Sequence, residues 1–272
     1  MKKMFFVIVL LVLLLVPTMA HGQVFGDINI HRVFFPQVAF GSDSGGEWFT
    51  TILAINTSNQ PAQLTIGFTA QDGQNMVAPM IRSNGAPNPT MGHNPGDIPP
   101  GGGSWSAILR ASEISTTSGA MVAMIPMLGG RDLISVQVTY GRMRNGRVES
   151  QATVQPSDPS RMSVVRAVRF NLESDSVGVA VTNPHFESAI VNMEIYDMDD
   201  KKVGTARVSV PPHGQIARFI TDLVPELKQT WKGGKIIVTS DSEYGVATLG
   251  LQTTLETNGE FTFWSTKVSV VN

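Results

Sequence analysis

The polar residues best suited to binding chemistry lie in residues 74–103, a segment rich in Gly, Pro and Asn. This composition favours turns over strands or helices, so we predict a long surface loop there. Loops on a rigid scaffold often carry function. The segment is longer than its counterpart in the second half of the chain, and such an insertion is equally compatible with neutral sequence drift. The loop carries a set of hydrogen-bonding and charged side chains that predict a ligand site: Arg82, Asn84, His93 and Asp97.

Two tryptophans border this segment in the predicted fold. Trp48 begins a strand and Trp105 follows the loop, so we expect both at one end of the first domain. Exposed aromatic rings stack on sugar rings, which points to a glycan as the ligand, while packing at the core or rim is the alternative. If the loop binds the ligand, deleting residues 75–97 should abolish binding and leave the melting temperature almost unchanged.

Catalytic residues are not predicted anywhere in the chain. The histidines are scattered without the His-x-x-x-His spacing of a metal site, and His185 and His213 fall in turns. The sequence has no cysteine, which excludes a thiolate nucleophile, and no Gly-x-Ser-x-Gly motif to indicate an activated serine. An enzyme of unfamiliar type is kept only as a third hypothesis.

Metal ions and cofactors are likewise not predicted. The string Asp197–Asp200 offers carboxylates to calcium, but it lacks the spacing of an EF-hand loop, and a hairpin turn explains it equally well. Met121, Met124 and Met127 suggest copper only if they share a face. Pro126 and the surrounding β-branched residues favour a strand, in which Met121 and Met124 point to opposite faces and fill space.

The first 22 residues have the order of a secretory signal peptide. Lys2 and Lys3 precede an apolar run, and small residues follow it before a cut after Ala20 or Gly22. The run is short for a membrane-spanning helix, and an uncleaved N-terminal anchor is the alternative. We therefore predict a secreted protein, extracellular or periplasmic, without a membrane span after cleavage.

Charge and cysteine content further restrict the classes of partner and of fold that the sequence predicts. Without Lys2 and Lys3 the chain has 18 basic and 22 acidic residues, and neither sign forms a long block, which gives no basis for binding nucleic acid. Exported proteins without disulfides need a sizeable core, and a mature chain of about 250 residues is long enough to bury one. The expected partners are extracellular or cell-envelope macromolecules, either protein or glycan.

The chain contains an internal repeat. Residues 52–73 align without a gap with residues 179–200, so that Asn56 falls on Asn183. Both segments alternate apolar and polar residues with period two, which predicts a half-buried strand in the same register. The first copy contains an Asn-Thr-Ser glycosylation pattern at Asn56, but Pro184 blocks the pattern in the second copy. The shared Asn therefore predicts a turn in which its side chain bonds to the backbone.

Each copy contains about seven short strand-like runs within ~110 residues, which is typical of an antiparallel β-sandwich. The pairs Asn145-Gly146 and Asn258-Gly259 predict type I′ hairpins. Helical periodicity is confined to residues 219–231, where Pro225 limits any helix to about one turn on each side.

A family resemblance rests on the string FPQVAFGSDSGGEWFTTILAINTS at residues 35–58, followed by a strand, an acidic turn, Pro-Pro-Gly and an Asn-Gly hairpin. This order resembles tandem β-sandwich modules of secreted bacterial proteins, most of them uncharacterised. The second copy fits at residues 178–184 but lacks the Phe-Pro-Gln and Trp elements, with Asp175 where Trp48 stands. The resemblance implies a fold and no catalytic residues.

We therefore predict an all-β protein of two tandem immunoglobulin-like β-sandwich domains that arose by duplication. The predicted organisation is a signal peptide at 1–22, a first domain at 23–156 with the loop 74–103, and a second domain at 157–272. The predicted function is that of a non-enzymatic exported protein of structural, adhesion or interaction type. A glycan- or ligand-binding protein that uses the loop is the alternative.

Overall fold

The computed structural model describes residues 28–82, 88–90, 92–255, 257, 260–266 and 268–271, and the predicted signal peptide lies outside these ranges. The described chain is almost entirely β-structure in two bodies, which confirms the all-β prediction. The one α-helix among these residues is α1 (Ile220–Leu223), followed by a 3-10 turn at Pro225–Leu227. Pro225 thus limits the helices as predicted, because it lacks an N–H for a continuing helix.

The first body contains the strands that precede residue 155. They are β1 (Ile28–Asp43), β2 (Gly46–Asn56), β3 (Ala62–Gln63), β4 (Thr65–Ala70), β5 (Ala78–Arg82), β6 (Asn88–Thr90), β7 (Gly92–His93), β8 (Asp97–Ile98), β9 (Ser104–Arg110), β10 (Thr117–Leu128), β11 (Arg131–Asp132), β12 (Ile134–Arg144) and β13 (Arg147–Val154).

The second body contains the remaining described strands. They are β14 (Met162–Val168), β15 (Asp175–Thr182), β16 (Ala189–Tyr196), β17 (Lys202–Val210), β18 (Gln215–Phe219), β19 (Gly233–Ser240), β20 (Ala247–Leu255), β21 (Phe261–Thr266) and β22 (Val268–Val270).

A long bent strand, β1, makes the first body a nearly closed, barrel-like antiparallel sheet. Its first part pairs with β10, and its last residues, Gly41 to Asp43, pair with β2. The register with β10 shifts between Phe35 and Val38, where a bulge bends the strand. The resulting strand order is β6-β5-β9-β2-β1-β10-β4-β7.

The second body has two separate sheets that pack face to face. Their strand orders are β17-β16-β19-β14-β22 and β18-β15-β20-β21. The inward residues Val191, Met193 and Ile195 of β16 are buried, as are Leu64, Ile66 and Phe68 around β4. The predicted alternation is therefore confirmed in both bodies.

Strand pairing follows the same order in the two bodies. In the first, β2 lies between β9 and β12, and β12 pairs with β13. In the second, β15 lies between β18 and β20, and β20 pairs with β21. The opposing strands also match, since β10 lies between β1 and β4 just as β19 lies between β14 and β16.

The aligned asparagines occupy equivalent turns. Asn56 Nδ2 donates to the carbonyls of Gln60 and Ile98, at 2.8 Å each, and its Oδ1 accepts the Ser58 N–H at 2.9 Å. Both asparagines are fully buried. The predicted role as a backbone-bonding turn residue is therefore confirmed for the first copy.

The second copy repeats this arrangement closely. Asn183 Nδ2 donates to the carbonyls of Glu187 at 2.7 Å and Pro211 at 3.1 Å, and its Oδ1 accepts the His185 N–H at 3.1 Å. Each amide thus ties the end of one strand to the next turn and to a distant Pro-Pro segment. We call each arrangement an asparagine joint.

Replacing either joint asparagine by alanine should destabilise the protein by about 2–3 kcal/mol. The reason is that buried carbonyls and an N–H lose their partners, at about 1 kcal/mol or more each. Urea unfolding of Asn56→Ala and Asn183→Ala measures this. Asn192→Ala, at an exposed position on β16, is the matched control and should change the free energy of unfolding by no more than about 0.5 kcal/mol. Joint variants as stable as that control would contradict a structural role.

The prediction that residues 74–103 form a surface loop is wrong. The segment contains β5 to β8, and its side chains Met76, Ala78 and Met80 are buried in the core of the first body. Gly and Pro do interrupt the segment, but runs of two to five residues between them suffice for short strands at the edges of a sheet. The alternation of Ala78 and Met80 with Pro79 and Ile81 directs the apolar side chains inward.

These short strands close the first body. The outermost strands of the sheet are β6 and β7, and residue 91 alone separates them along the chain. The segment thus covers two edges of the sheet, because β5 pairs with β9 and β7 pairs with β4. Covering both edges leaves fewer backbone groups open to pairing with another chain.

The Asn145-Gly146 hairpin between β12 and β13 is confirmed, because both residues have the positive φ angles, 53° and 74°, that a type I′ turn requires. The second predicted hairpin, at Asn258-Gly259, lies outside the described residues.

The two bodies are packed together. Leu249, Leu251 and Phe263 of the second body belong to the hydrophobic core of the first. The buried Gln215 donates from Nε2 to the Pro36 carbonyl and to Gln37 Oε1, at 2.9 Å each. The core of the first body thus extends onto the second body, and buried hydrogen bonds join the two.

The segment between β13 and β14 also bonds to both bodies. The Ser157 N–H donates to the Phe34 carbonyl at 2.8 Å, and Ser157 Oγ accepts the Thr248 N–H at 3.0 Å. Residues 155–160 have the composition of a linker, but these bonds fix their path.

Candidate ligand-binding cleft between the two bodies

Among the described sequence-predicted site residues, His93 and Trp105 lie together, whereas Trp48 lies apart from them. His93 stacks on Trp105, with ring centroids 5.3 Å apart, and Trp105 packs against the core. Asp97 is exposed and accepts a hydrogen bond from Gln63 Nε2 at 2.9 Å. The backbone of Arg82 lies opposite Ala107 in the sheet. The side chain of Arg82 and all of Asn84 lie outside the described part of the structure.

Trp48 and Trp105 lie at opposite ends of the sheet, contrary to the prediction that they share one end. Trp105 pairs with Ala54 on β2, six residues along from Trp48, which corresponds to roughly 20 Å of strand. The reason is that β2 and β9 are antiparallel, so the start of one faces the end of the other. A shared stacking platform is therefore excluded for this pair.

Trp48 instead lines a cleft of about 550 Å³ between the two bodies. Its walls combine aromatic rings with polar side chains from both halves of the chain. Among the lining residues are Gln37, Asp43, Trp48, Ser118, Tyr140, Arg142, Arg218, Asp222, Thr253 and Phe263.

Three aromatic rings form one wall of the cleft. The rings of Trp48 and Tyr140 are 6.0 Å apart and nearly parallel, and those of Tyr140 and Phe263 are 4.8 Å apart. Tyr140 and Phe263 are buried, whereas Trp48 is partly exposed. Because Phe263 comes from β21, this wall exists only when the two bodies are packed together.

A network of hydrogen bonds orients the Trp48 ring. Its Nε1 donates to Asp43 Oδ2 at 2.9 Å, and Arg142 Nη2 donates to Asp43 Oδ1 at 3.2 Å. The Arg142 guanidinium carbon also lies 5.5 Å from the centroid of the Trp48 ring, within range of a cation–π interaction. The β2–β12 register places Arg142 directly opposite Trp48.

The turn between β1 and β2 needs glycine for this approach. A Cβ at Gly45 would lie 1.6 Å from Arg142 Nη2, so any other residue would displace the guanidinium. The Gly45 N–H also donates to Asp43 Oδ1 at 2.7 Å. The Ser-Asp-Ser-Gly-Gly string therefore shapes the rim of the cleft.

Protonation in the cleft follows from these contacts. Partial burial by itself raises the pKa of Asp43, but hydrogen bonds from Trp48, from the Gly45 N–H and from Arg142 outweigh it, and the pKa lies below its ordinary value. Burial raises the pKa of the Tyr140 phenol. At neutral pH the wall thus presents a carboxylate, a guanidinium and a neutral phenol.

The cleft lining supplies further hydrogen-bonding groups. Arg218 and Asp222 from the second body are exposed, and Gln37, Ser118 and Thr253 add uncharged donors and acceptors. Each body thus contributes one arginine and one aspartate to the lining. Such a surface suits a neutral, polar ligand that offers an apolar face to an aromatic ring.

Sequence reasoning missed most of this cleft. Asp43 and Trp48 both lie in the string at 35–58, and their five-residue spacing is the only local feature of the sequence that relates two residues of the cleft. Arg142 reaches Trp48 through strand register, and Phe263 through packing of the two bodies.

The metal alternatives are not favoured by the geometry. Asp197 Oδ1 accepts the N–H groups of Asp199 and Lys201, at 3.0 and 2.9 Å, as in a hairpin turn. Met121 is buried and Met124 lies on the other face of β10, as the strand prediction required. Within the described ranges, no group of three or more His, Cys, Asp or Glu side chains is placed to hold a metal ion.

Comparisons with known proteins give only distant structural likenesses. No family model and no curated protein match the chain. Thermotoga maritima 1070 is similar over 42% of this chain and 96% of its own length, with 14% identity and a TM-score of 0.33. A candidate secreted protein of Parabacteroides distasonis aligns over 83% of this chain and 88% of its own, with 11% identity and a TM-score of 0.22.

A third likeness is to Bacteroides uniformis β-glucuronidase 2, over 86% of this chain and 26% of that enzyme, with 11% identity and a TM-score of 0.17. Scores at this level assign neither a fold family nor a function. No helix among the described residues has the length and apolar character needed to cross a membrane.

Proposed function

We propose that this chain is an exported, non-enzymatic interaction protein that binds its ligand in the cleft between two duplicated, immunoglobulin-like β-sandwich bodies. The matching strand order and the repeated asparagine joint support the duplication. The signal-peptide pattern of residues 1–22 supports export. The expected partners are macromolecules outside the cell or in its envelope.

One observation carries this proposal: the partly exposed Trp48 is held in place by Asp43 and Arg142 in a cleft built from both bodies. Binding sites need side chains that are already fixed in position, since ordering them on binding reduces affinity. Sites at the junction of two bodies are also common for ligands.

A glycan is the ligand class that this cleft favours. A sugar ring presents C–H groups to an aromatic face and hydroxyls to the groups around it. Here Trp48 supplies the ring, and Asp43 and Arg218 supply an acceptor and a donor for hydroxyls. We therefore propose that glycan binding, the alternative function predicted from the sequence, takes place in the cleft and not at residues 74–103.

Replacing Trp48 by alanine is expected to weaken glycan binding by about tenfold or more, because stacking on one ring contributes roughly 0.5–1.5 kcal/mol and Asp43 also loses its partner. Affinity electrophoresis of residues 23–272 through gels containing soluble polysaccharides measures this. Trp264→Ala, which removes a tryptophan that is partly exposed elsewhere on the second body, is the matched control and should bind normally.

Arg218→Ala provides a second test, since this exposed side chain can be removed without disturbing the aromatic wall. It should weaken binding at an unchanged melting temperature. Retention of Trp48→Ala and Arg218→Ala equal to that of the unaltered protein would place the glycan site elsewhere. Failure of every polysaccharide and glycan-array probe to bind would overturn the glycan assignment.

A further inference from the structure

The second body carries an exposed aromatic patch, which we define as His185, Phe186 and Tyr244. The ring of His185 lies 3.9 Å from that of Phe186 and 4.1 Å from that of Tyr244, centroid to centroid. Phe186 is 70% exposed and Tyr244 is 55% exposed. The patch joins the turn after β15 to the turn after β19. Exposed apolar groups that cluster in this way mark interaction surfaces more often than scattered ones do.

The turn does not require the Phe186 ring. In the first body, the asparagine joint is complete with Ser58 and Asn59 at the positions equivalent to His185 and Phe186. His185 keeps a part in the turn, since its Nδ1 accepts the Glu187 N–H at 3.4 Å, as Ser58 Oγ accepts the Gln60 N–H at 3.3 Å. The Phe186 ring is therefore an addition to a turn whose hydrogen bonds form without it.

Carboxylates flank the aromatic patch. Glu187 and Glu243 are both exposed next to it in the chain. The pKa of the Tyr244 phenol is raised, first by its hydrogen bond with Glu243 and the charge of that residue, and also by the charge of Glu187. Two carboxylates thus act on this ring, whereas the ligand cleft is lined by charged residues of both signs.

We propose that the aromatic patch is a docking surface for a cationic segment of a partner protein. Lysine and arginine side chains are attracted to the faces of aromatic rings, and their charge is complementary to Glu187 and Glu243. Each such contact is weak at an exposed surface, so the partner segment must carry several cationic side chains. Binding of this kind weakens as salt screens the charges.

The chain itself offers a conservative test variant. His185→Ser with Phe186→Asn transplants the first body's own turn residues, and Tyr244→Ser removes the remaining ring. Fluorescence anisotropy of labelled deca-lysine, titrated with residues 23–272, measures docking. We expect the triple variant to weaken deca-lysine binding at least tenfold while its melting temperature stays close to that of the unaltered protein.

Charge-matched controls separate docking from general attraction to an acidic protein. Glu187→Gln with Glu243→Gln should weaken deca-lysine binding. Glu113→Gln with Glu226→Gln changes the net charge equally at exposed positions outside the patch and should not. Trp48→Ala alters the ligand cleft and should leave deca-lysine binding unchanged. The glycan-binding proposal and the docking proposal are therefore tested independently.

Three outcomes would overturn this assignment. They are absence of deca-lysine binding to the unaltered protein, equal binding by the triple variant, and equal weakening by the two charge-matched pairs. Loss of polysaccharide retention in the triple variant, with deca-lysine binding intact, would assign the patch to glycans instead.

Discussion

Deletion of residues 75–97 is expected to unfold the first body. The deletion removes β5, β6 and β7 together with the buried side chains of Met76, Ala78 and Met80. It also exposes the edges of β9 and β4 and opens the core that the closed sheet covers. Losing this many buried groups and paired strands exceeds the margin of about 5–15 kcal/mol by which proteins are stable.

Circular dichroism during heating measures this effect. The deletion variant should lose the cooperative transition of the first body, or fail to express as a soluble protein. Met80→Ala is the milder version and should destabilise by about 2–5 kcal/mol, as expected for a fully buried side chain. Val77→Ala is the matched control, since Val77 is 55% exposed, and should stay within about 0.5 kcal/mol.

An unchanged melting temperature after the deletion would contradict this role. That is the outcome expected if residues 74–103 were a surface loop that only binds a ligand. The surface-loop hypothesis and the structural role described above therefore predict different melting temperatures for the same deletion variant.

Arg169→Ala is expected to destabilise the protein by about 3–5 kcal/mol, because three carbonyls, two of them in buried hydrogen bonds, lose their charged donor, at about 1–3 kcal/mol each. Arg169 is only 4% exposed and follows β14. Its guanidinium donates to the carbonyls of Asp175 at 2.8 Å, Lys228 at 3.2 Å and Trp231 at 3.1 Å. It thus ties the start of β15 to the chain after α1.

Urea unfolding monitored by tryptophan fluorescence measures this, since Trp231 is buried beside the guanidinium. Arg169→Lys should recover little of the lost stability, because a single ammonium cannot reach all three carbonyls, on two separate segments, at once. Arg166→Ala, at an exposed position on β14, is the control and should change the free energy of unfolding by less than about 0.5 kcal/mol. Full recovery by lysine would show that charge alone, without the planar geometry, is sufficient.

Local patterns in the sequence determined the elements that depend on neighbouring residues. The alternation around Leu64 and around Met193 predicted strands with the correct buried face, because side-chain direction in a strand repeats every two residues. The Asn145-Gly146 turn and the helix limit at Pro225 follow from backbone stereochemistry of single residues. The aligned Asn56 and Asn183 predicted the repeated turn.

Composition failed as a guide for residues 74–103. Gly and Pro set where turns fall, but whether the short runs between them form strands depends on an edge being available. The edges of β9 and β4 are created by the rest of the sheet, so no window of the sequence contains them. The burial of Met80 is a consequence of that pairing.

The candidate site was decided almost wholly by the tertiary structure. Trp48 was identified from the sequence as an aromatic residue able to stack. Its partners Arg142 and Phe263 lie about 100 and 200 residues away, and the sequence of the intervening loops does not determine which strands pair or in which register. Strand pairing brings the first to Trp48, and packing of the two bodies brings the second. The sequence alone determined strands, turns and the repeat, because these depend on local geometry, whereas the cleft depends on contacts that exist only after both bodies have folded together.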